Sequence, residues 1–457
     1  MKKNNYTFTR RTALRSLVGG SLILPAILNE LCAAPGPVKK TIDPLSPKMP
    51  HFPARAKRVI FMFMPGGISH IDSFDPKPKL KQLHGKNKFL QSPWNASPRG
   101  KCGTEVTDLF PHIAGCMDDI CLIRSMKSDH SDHFQSTLGI HTGSVTFARP
   151  SIGSWISYGL GTYNQNLPSF VVIAPKLPYA GTQVFANDFL PAYHQGTQVI
   201  PGPNPIPNLK RRTDQQEIQE MELGLSEIFN RLHLQDRQND LALAARIKSF
   251  ETAFHMQRDA TEAFDVSAES DTTLKLYGLE RGQTDGYGWQ CLVARRLAER
   301  GVRFIELIDQ GSSNNWDAHR DMADHAPLAK NIDLPIAGLI RDLKALGMLD
   351  DTLLVFTTEF GRSPRWDGDA SEAKGRSHHN RAFSSWLAGG GVKPGFVHGA
   401  TDETGGHIIR DQVHVHDFHA TILHILGLDH TKLTYHHAGR DFRLTDVHGK
   451  VVHNILA

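Results

Sequence analysis

The chain has 457 residues with 51 Lys+Arg against 47 Asp+Glu. Lys2, Lys3, Arg10, Arg11 and Arg15, opposed by Glu30, account for the whole net charge of +4. Everything after residue 34 is electrically balanced, which excludes a nucleic-acid binder that rests on bulk positive charge. At 40% hydrophobic and 21% charged residues the composition is that of a globular protein, neither disordered nor membrane-embedded along its length. Histidine is the outlier. There are 25, none before His51, and thirteen fall between His378 and His453. Imidazole carries protons near neutral pH and is a common metal ligand, so the histidines direct attention to metal chemistry.

The first element is an address. Thr9-Arg10-Arg11-Thr12-Ala13-Leu14 resembles a twin-arginine (Tat) export motif. The apolar stretch from Leu17 to Leu28 is broken by Gly19, Gly20 and Pro25. It is short for a bilayer span and fits a signal h-region. Cys32-Ala33-Ala34 supplies small residues for cleavage. Residues 1–34 are therefore expected to be a Tat-type signal peptide. The mature chain is then periplasmic or secreted, with no transmembrane span. Residues 35–55, rich in Pro and Lys, read as a linker. Cys102, Cys116, Cys121 and Cys291 remain after it and form no zinc-ribbon spacing, so their pairing is open.

Arg58-Val59-Ile60-Phe61-Met62-Phe63-Met64 is a nearly continuous apolar run stopped by Pro65-Gly66-Gly67, the pattern of a buried strand feeding a turn. Phe170 to Ile173, Val302 to Leu307 and Thr352 to Thr357 are further runs of this kind. Helical spacing fills the intervals: Met221, Leu223, Leu225, Ile228 and Leu232 within 214–263, then Gly286 to Arg300, then Ile332 to Leu346. Buried strands alternating with helices predict an α/β fold with a largely parallel central sheet. The simplest parse is one domain over 56–457 with a helical insertion near 210–265. In such sheets ligands bind outside the carboxyl ends of the strands. That brings 64–75, 309–325 and 358–379 to one edge.

These three loops carry the chemistry-bearing residues. Gly66 and Gly67 precede His70, Asp72 and Asp75, which are metal-ligand types or helix-capping carboxylates. Asn315-Trp316-Asp317-Ala318-His319 places a carboxylate two residues before an imidazole, and an extended loop can aim both at one ion. Asp321 and His325, four apart, would share a helix face. Glu359 follows a buried strand directly, and Arg362 behind it could bind a phosphate or sulfate oxygen or simply pair with Glu359. Gly375-Arg376-Ser377-His378-His379 adds paired imidazoles. A mixed His/carboxylate set suits a divalent ion such as Zn²⁺, Mn²⁺, Ca²⁺ or Mg²⁺.

The run Gly66 to Pro78 (G-G-x-S-H-x-D-x-x-D-P-K-P), Trp316 to His319 (W-D-A-H), Thr358 to Pro364 (T-E-F-G-R-S-P), Gly375 to His379 (G-R-S-H-H) and Trp386 to Gly391 (W-L-A-G-G-G) resembles the domain of unknown function 1501 family of Tat-exported bacterial proteins. That family looks like a sulfatase-like branch of the alkaline phosphatase superfamily. The resemblance implies a three-layer alkaline phosphatase/sulfatase-like α/β fold. It also implies metal roles for Asp317 and His319, with His378 completing their site and Glu359 standing where the superfamily has the first residue of an Asp-His pair. Val415-His416-Asp417-Phe418-His419-Ala420-Thr421 resembles the sulfatase helix near the C-terminus. There are departures. Phe360 replaces the His of the pair. The first strand ends in Pro65-Gly66 where the superfamily has a metal-binding Asp, so Asp72 or His70 would have to substitute. The nucleophile position aligns with about His133, with Ser136 nearby, and the Cys-x-Pro-x-Arg sulfatase motif is missing, which argues against formylglycine chemistry.

The expectation is an exported metal-dependent hydrolase-like protein acting on a phosphate- or sulfate-bearing small molecule or glycan. Asp72, Asp317, His319, Glu359 and His378 would serve the metal, His133 or Ser136 would be nucleophile or general base, and Arg362 would hold the anion. The alternative is a non-catalytic metal- or glycan-binding envelope protein that keeps the fold. Most histidines from His398 onward are expected to cap, pack or face solvent.

Overall fold

A computed structural model describes residues 43–207, 216–235, 237, 240–367 and 374–457. The signal segment 1–34 and the linker as far as residue 42 lie outside the described residues. Leu45–Ala457 form one compact unit. From Leu45 onward the chain, read above as the end of a linker, lies against that unit: Leu45 is buried, and the Phe52 and Arg55 amides donate to the Gly427 and Ile425 carbonyls.

The four apolar runs are strands. They are β1 (Arg58–Phe63), β3 (Phe170–Ile173), β5 (Phe304–Ile308) and β6 (Thr352–Thr357). Five others join them in a nine-stranded sheet: β2 (Ile120–Lys127), β4 (Thr197–Val199), β7 (Phe383–Ala388), β8 (Phe396–His398) and β9 (Val413–His414). The order is β8-β2-β7-β6-β1-β5-β3-β4, with β9 also on β2. All pairings are parallel except those of β7, which runs against both β2 and β6. The sheet is thus largely parallel, as its continuous apolar strands require.

The pleat sends alternate residues to opposite faces. Ile60, Met62, Ile305, Leu307, Leu354 and Phe356 enter one core, with helices Gly286–Glu299 and His325–Ala345 over them. Val59, Phe61, Phe63, Phe304, Leu353 and Val355 enter a second core, covered by helices Ile152–Leu160 and Val415–Ile425. Helices on both faces make three layers. The polar-amphipathic stretch at 214–263 contains two helices, Gln216–Gln235 and Leu241–Phe264. No helix among the described residues is long and apolar enough to cross a membrane, and the four described cysteines are free thiols.

One buried pair ties the sheet to the helix that matters for the site, His133–Thr142, called α1. Glu306 of β5 lies 2.8 Å from Nε2 of His141, whose Nδ1 faces the Thr137 carbonyl at 2.6 Å. Both side chains are almost wholly buried. Removing one member of such a pair strands the other in a low dielectric. Glu306→Ala is expected to cost about 3–5 kcal/mol, read as a lowered denaturation midpoint, whereas Glu306→Gln, which keeps a hydrogen-bonding partner for His141, loses less.

Candidate metal centre

Strands β6, β1 and β5 are neighbours, so their carboxyl-end loops meet at one edge. The Gly66-Gly67 turn makes the meeting possible. Gly66 has φ +109°, and a Cβ there would sit 2.6 Å from Asn315 Oδ1 and the Trp316 amide. Gly67 has φ +76°, and a Cβ there would strike the Phe360 ring. Only glycine lets the β1 turn lie directly against the other two loops. The Gly66 amide then donates to Glu359 Oε1 at 2.8 Å.

Asp317 is the meeting point. Its Oδ1 lies 3.2 Å from His133 Nε2, 2.9 Å from His319 Nε2 and 3.2 Å from His378 Nε2. His319 and His378 bring their Nε2 atoms to 2.9 Å of each other. The ligand atoms of all four residues lie within 4.8 Å of one another. Each residue arrives by a different route. His133 opens α1, whose N-cap Asp132 accepts from the Phe134 amide. Asp317 and His319 come from the loop after β5, where the Trp316 indole donates to Asp309 at 3.1 Å. His378 lies on the hairpin strand Arg376–His379, opposite Arg362 of Gly361–Trp366.

The far nitrogens fix the tautomers. His133 Nδ1 faces Glu359 Oε1 at 2.7 Å, His378 Nδ1 faces the Ser131 carbonyl at 2.7 Å, and His319 Nδ1 faces Asp367 Oδ2. All three partners are acceptors, so each Nδ1 carries a hydrogen and each Nε2 is turned inward. Metal-binding histidines are oriented in this way. His133 Nε2 is buried and makes no hydrogen bond of good geometry. Burial alone would lower the His133 pKa, but close contact with Asp317, the hydrogen bond with Glu359 and the charge of both outweigh it and raise the group to about 9. Burial likewise opposes ionisation of Asp317, yet His133, His378 and Arg362 hold it well below the usual carboxylate range. His319, Asp317 and His378 keep a quarter to a third of their side chains exposed, so a solute can reach them.

Other predicted residues are placed differently. Glu359 is fully buried behind His133 and touches the cluster through that imidazole. Arg362 is fully buried too. Its guanidinium donates to the carbonyls of Gly66, Gly67 and Arg376 and to Asp317 Oδ1, so it braces the cluster from behind with its donors already committed. Asp72 lies outside the cluster in a two-point pair with buried Arg376, at 2.7 and 3.2 Å. Burial works against its charge, and Arg376 prevails and lowers its pKa. Ser136 Oγ donates to the His130 carbonyl at 2.7 Å. His70 faces the Gly405 carbonyl, and buried His325 accepts from the Ser69 amide, its pKa pushed down to about 3 by burial. Asp321 caps a short turn before the helix that His325 begins, so the two do not share a helix face.

Two contacts escaped the sequence reading. Tyr179 stacks on His133 with ring centroids 4.2 Å apart and is held by Asn315 Nδ2 at 3.1 Å. Asp367 orients His319. Neither belongs to a motif or a ligand-type spacing.

Fold and cluster together define an α/β protein with three imidazoles and one carboxylate converging at the carboxyl edge of a parallel sheet. The chain belongs to the family described as "Protein of unknown function (DUF1501)", whose model matches residues 56–456. No curated protein matches it. Among solved structures it is similar to the lipoteichoic acid synthase LtaP from Listeria monocytogenes, at 8% identity over 88% of this chain and 79% of that one, with a TM-score of 0.38. It is also similar to the PsFucS1 sulfatase from Pseudoalteromonas sp., at 12% identity over 82% and 68%, TM-score 0.34. A third is the alkaline phosphatase from the Antarctic bacterium TAB5, at 13% identity over 74% and 92%, TM-score 0.33.

Because Asp72 pairs with Arg376 away from the cluster, Asp72→Asn is expected to lower stability by about 3–5 kcal/mol through the unpaired buried guanidinium. Metal content of the folded variant, measured by elemental analysis, stays at the wild-type value. A loss of metal with stability intact would instead make Asp72 a ligand.

Proposed function

We propose that the protein is a metal-dependent hydrolase of phosphate or sulfate esters that works outside the cytoplasm. The observation that carries this reading is the convergence of three Nε2 atoms on Asp317 Oδ1, each ring held by an acceptor at Nδ1. Asp317, His319 and His378 hold one divalent ion. A donor set of two imidazoles and a carboxylate fits Zn²⁺ or Mn²⁺ better than Ca²⁺ or Mg²⁺, which favour oxygen-only shells. Such an ion polarises an ester oxygen and lowers the pKa of bound water.

The chain's own groups do the rest. His133 faces the same point and carries the proton at Nε2, with Glu359 accepting from Nδ1 and stabilising the charged form. Tyr179 stacks on that ring and limits its rotation. Arg362 keeps Asp317 ionised and aimed. The phosphate or sulfate group, on a small molecule or glycan, approaches from the exposed side formed by His319, Asp317 and His378.

The second reading, a metal- or glycan-binding envelope protein, has its own observation. Ser136, the one hydroxyl singled out as a nucleophile, is turned to the His130 carbonyl. A panel of phosphate monoesters, phosphate diesters and sulfate esters, assayed with added Zn²⁺, Mn²⁺ or Ca²⁺, separates the two. Turnover that is lost in His319→Ala together with bound metal supports the hydrolase. Stoichiometric metal without turnover supports the binding protein, and unchanged metal content in His319→Ala removes the centre itself. Asp367→Ala, which removes the acceptor at Nδ1 of the ligand His319, should weaken metal binding about 10–100-fold, the usual cost of losing an outer partner.

Export through the Tat pathway is part of the proposal and rests on Arg10-Arg11 and the short apolar run after them. Replacing both arginines by lysine is expected to leave the protein in the cytoplasm; undiminished export in a fractionation assay would contradict it.

A further inference from the structure

A second group of ligand-type residues lies apart from the Asp317 cluster. We infer that Asp129, His414 and His416 form a second divalent-cation site, of the zinc type, with His448 beside it. The topology assembles it. Strand β9 pairs in parallel with the end of β2, Val413 against Met126 and His414 against Lys127. Asp129 leaves β2 two residues later and so meets a histidine 285 positions away. Asp129 Oδ1 lies 2.9 Å from His414 Nε2. His414 caps the helix Val415–Ile425, and His416 follows in its first turn. One ligand atom from each of the three lies within 4.8 Å of the other two. The His448 ring stands 5.0 Å from that of His416, centroid to centroid.

A second observation points to a ligand. His416 is 7% exposed, and its Nδ1 is buried with no hydrogen-bond partner. It lines a cavity of about 380 Å³ that Asp129, His414 and His448 also border, together with Asp417 and Lys450. An imidazole buried this deeply needs a partner for its ring nitrogens. Asp417 is already occupied, accepting from the His414 and Lys450 amides, and completes the capping box of that helix.

Ligation by His414 Nε2 moves that ring's hydrogen to Nδ1. The capping contact from the His416 amide to Nδ1, at 3.3 Å, is then given up. It is a long hydrogen bond, set against new bonds from the ion to two or three imidazoles and a carboxylate. Mixed imidazole and carboxylate donors, with part of the cavity left for water, match a zinc-type ion. The consequence is mechanical. Asp129 begins the segment that ends in Asp132 and His133, so an ion here would anchor the loop that presents His133.

The test uses the mature full-length protein, stripped of metal and titrated with Zn²⁺ alone by calorimetry, with elemental analysis of the product. His416→Gln and Asp129→Asn are each expected to bind one zinc ion fewer than their parent, or to bind that ion at least 100-fold more weakly. The same loss is expected when they are made in a His319→Ala background. That background separates this site from the proposed catalytic one, because a failure of the Asp317 cluster to bind leaves the loss at His416 unchanged. Unaltered stoichiometry and affinity in both folded variants would overturn the inference. Should either variant fail to fold, zinc-edge anomalous scattering from wild-type crystals decides: a peak bounded by Asp129, His414 and His416 supports the site, and its absence at saturating zinc overturns it.

Discussion

One carboxylate oxygen organises the centre of this molecule. Asp317 Oδ1 faces three imidazole nitrogens and a buried guanidinium within hydrogen-bond reach. So many donors and lone pairs around one atom are tolerable only if Asp317 stays ionised and the rings stay in one orientation. Arg362 secures the first. Glu359, Asp367 and the Ser131 carbonyl secure the second, by taking the Nδ1 hydrogens. The arrangement is preorganised because the groups that orient it are themselves held: Glu359 by the Gly66 amide, and Arg362 by carbonyls of the glycine turn. A site built this way keeps its geometry before any solute arrives.

The sheet supplies the platform. Strands β6, β1 and β5 are adjacent and parallel, so their carboxyl-end loops emerge on one edge. The Gly66-Gly67 turn lets those loops touch. Helix α1 brings His133 from a distant sheet position, and the Glu306–His141 pair ties that helix to β5. The ion pair of Asp72 with Arg376 does comparable work beneath the hairpin that carries His378. Residues that resemble ligands in sequence therefore divide into two kinds. Some point at the cluster, and others hold the loops that make it.

Much of this was legible in the sequence, for identifiable reasons. Parallel strands buried on both faces read as unbroken apolar runs, so β1, β3, β5 and β6 were visible. Strand β2 was not, because Arg124, Ser125 and Lys127 interrupt its pattern while Arg124 reaches back to the Phe74 carbonyl. The helix expected from Ile332 begins seven residues earlier, at His325; Pro327, which reads as a helix stop, is tolerated there because it lies in the first turn. Asp317, His319 and His378 stood out by type and motif, and His133 only through resemblance. Nothing local distinguishes Asp72 from Asp317; what separates them is Arg376, 304 residues away from Asp72. Most histidines from His398 onward read as caps, packing or surface groups. His414 does cap a helix, and its pairing with Asp129 depends on a strand register that a single sequence does not display.

If Asp317, His319 and His378 converge because they hold a divalent ion, the ion must sit between their facing atoms. Crystals grown with Zn²⁺ or Mn²⁺, and measured on both sides of the metal's absorption edge, test it most directly. An anomalous peak is expected about 2.0–2.2 Å from Asp317 Oδ1 and from Nε2 of His319 and His378. A fully occupied metal elsewhere, with Asp317 Oδ1 and the Nε2 atoms of His319 and His378 still in direct contact, rules this out.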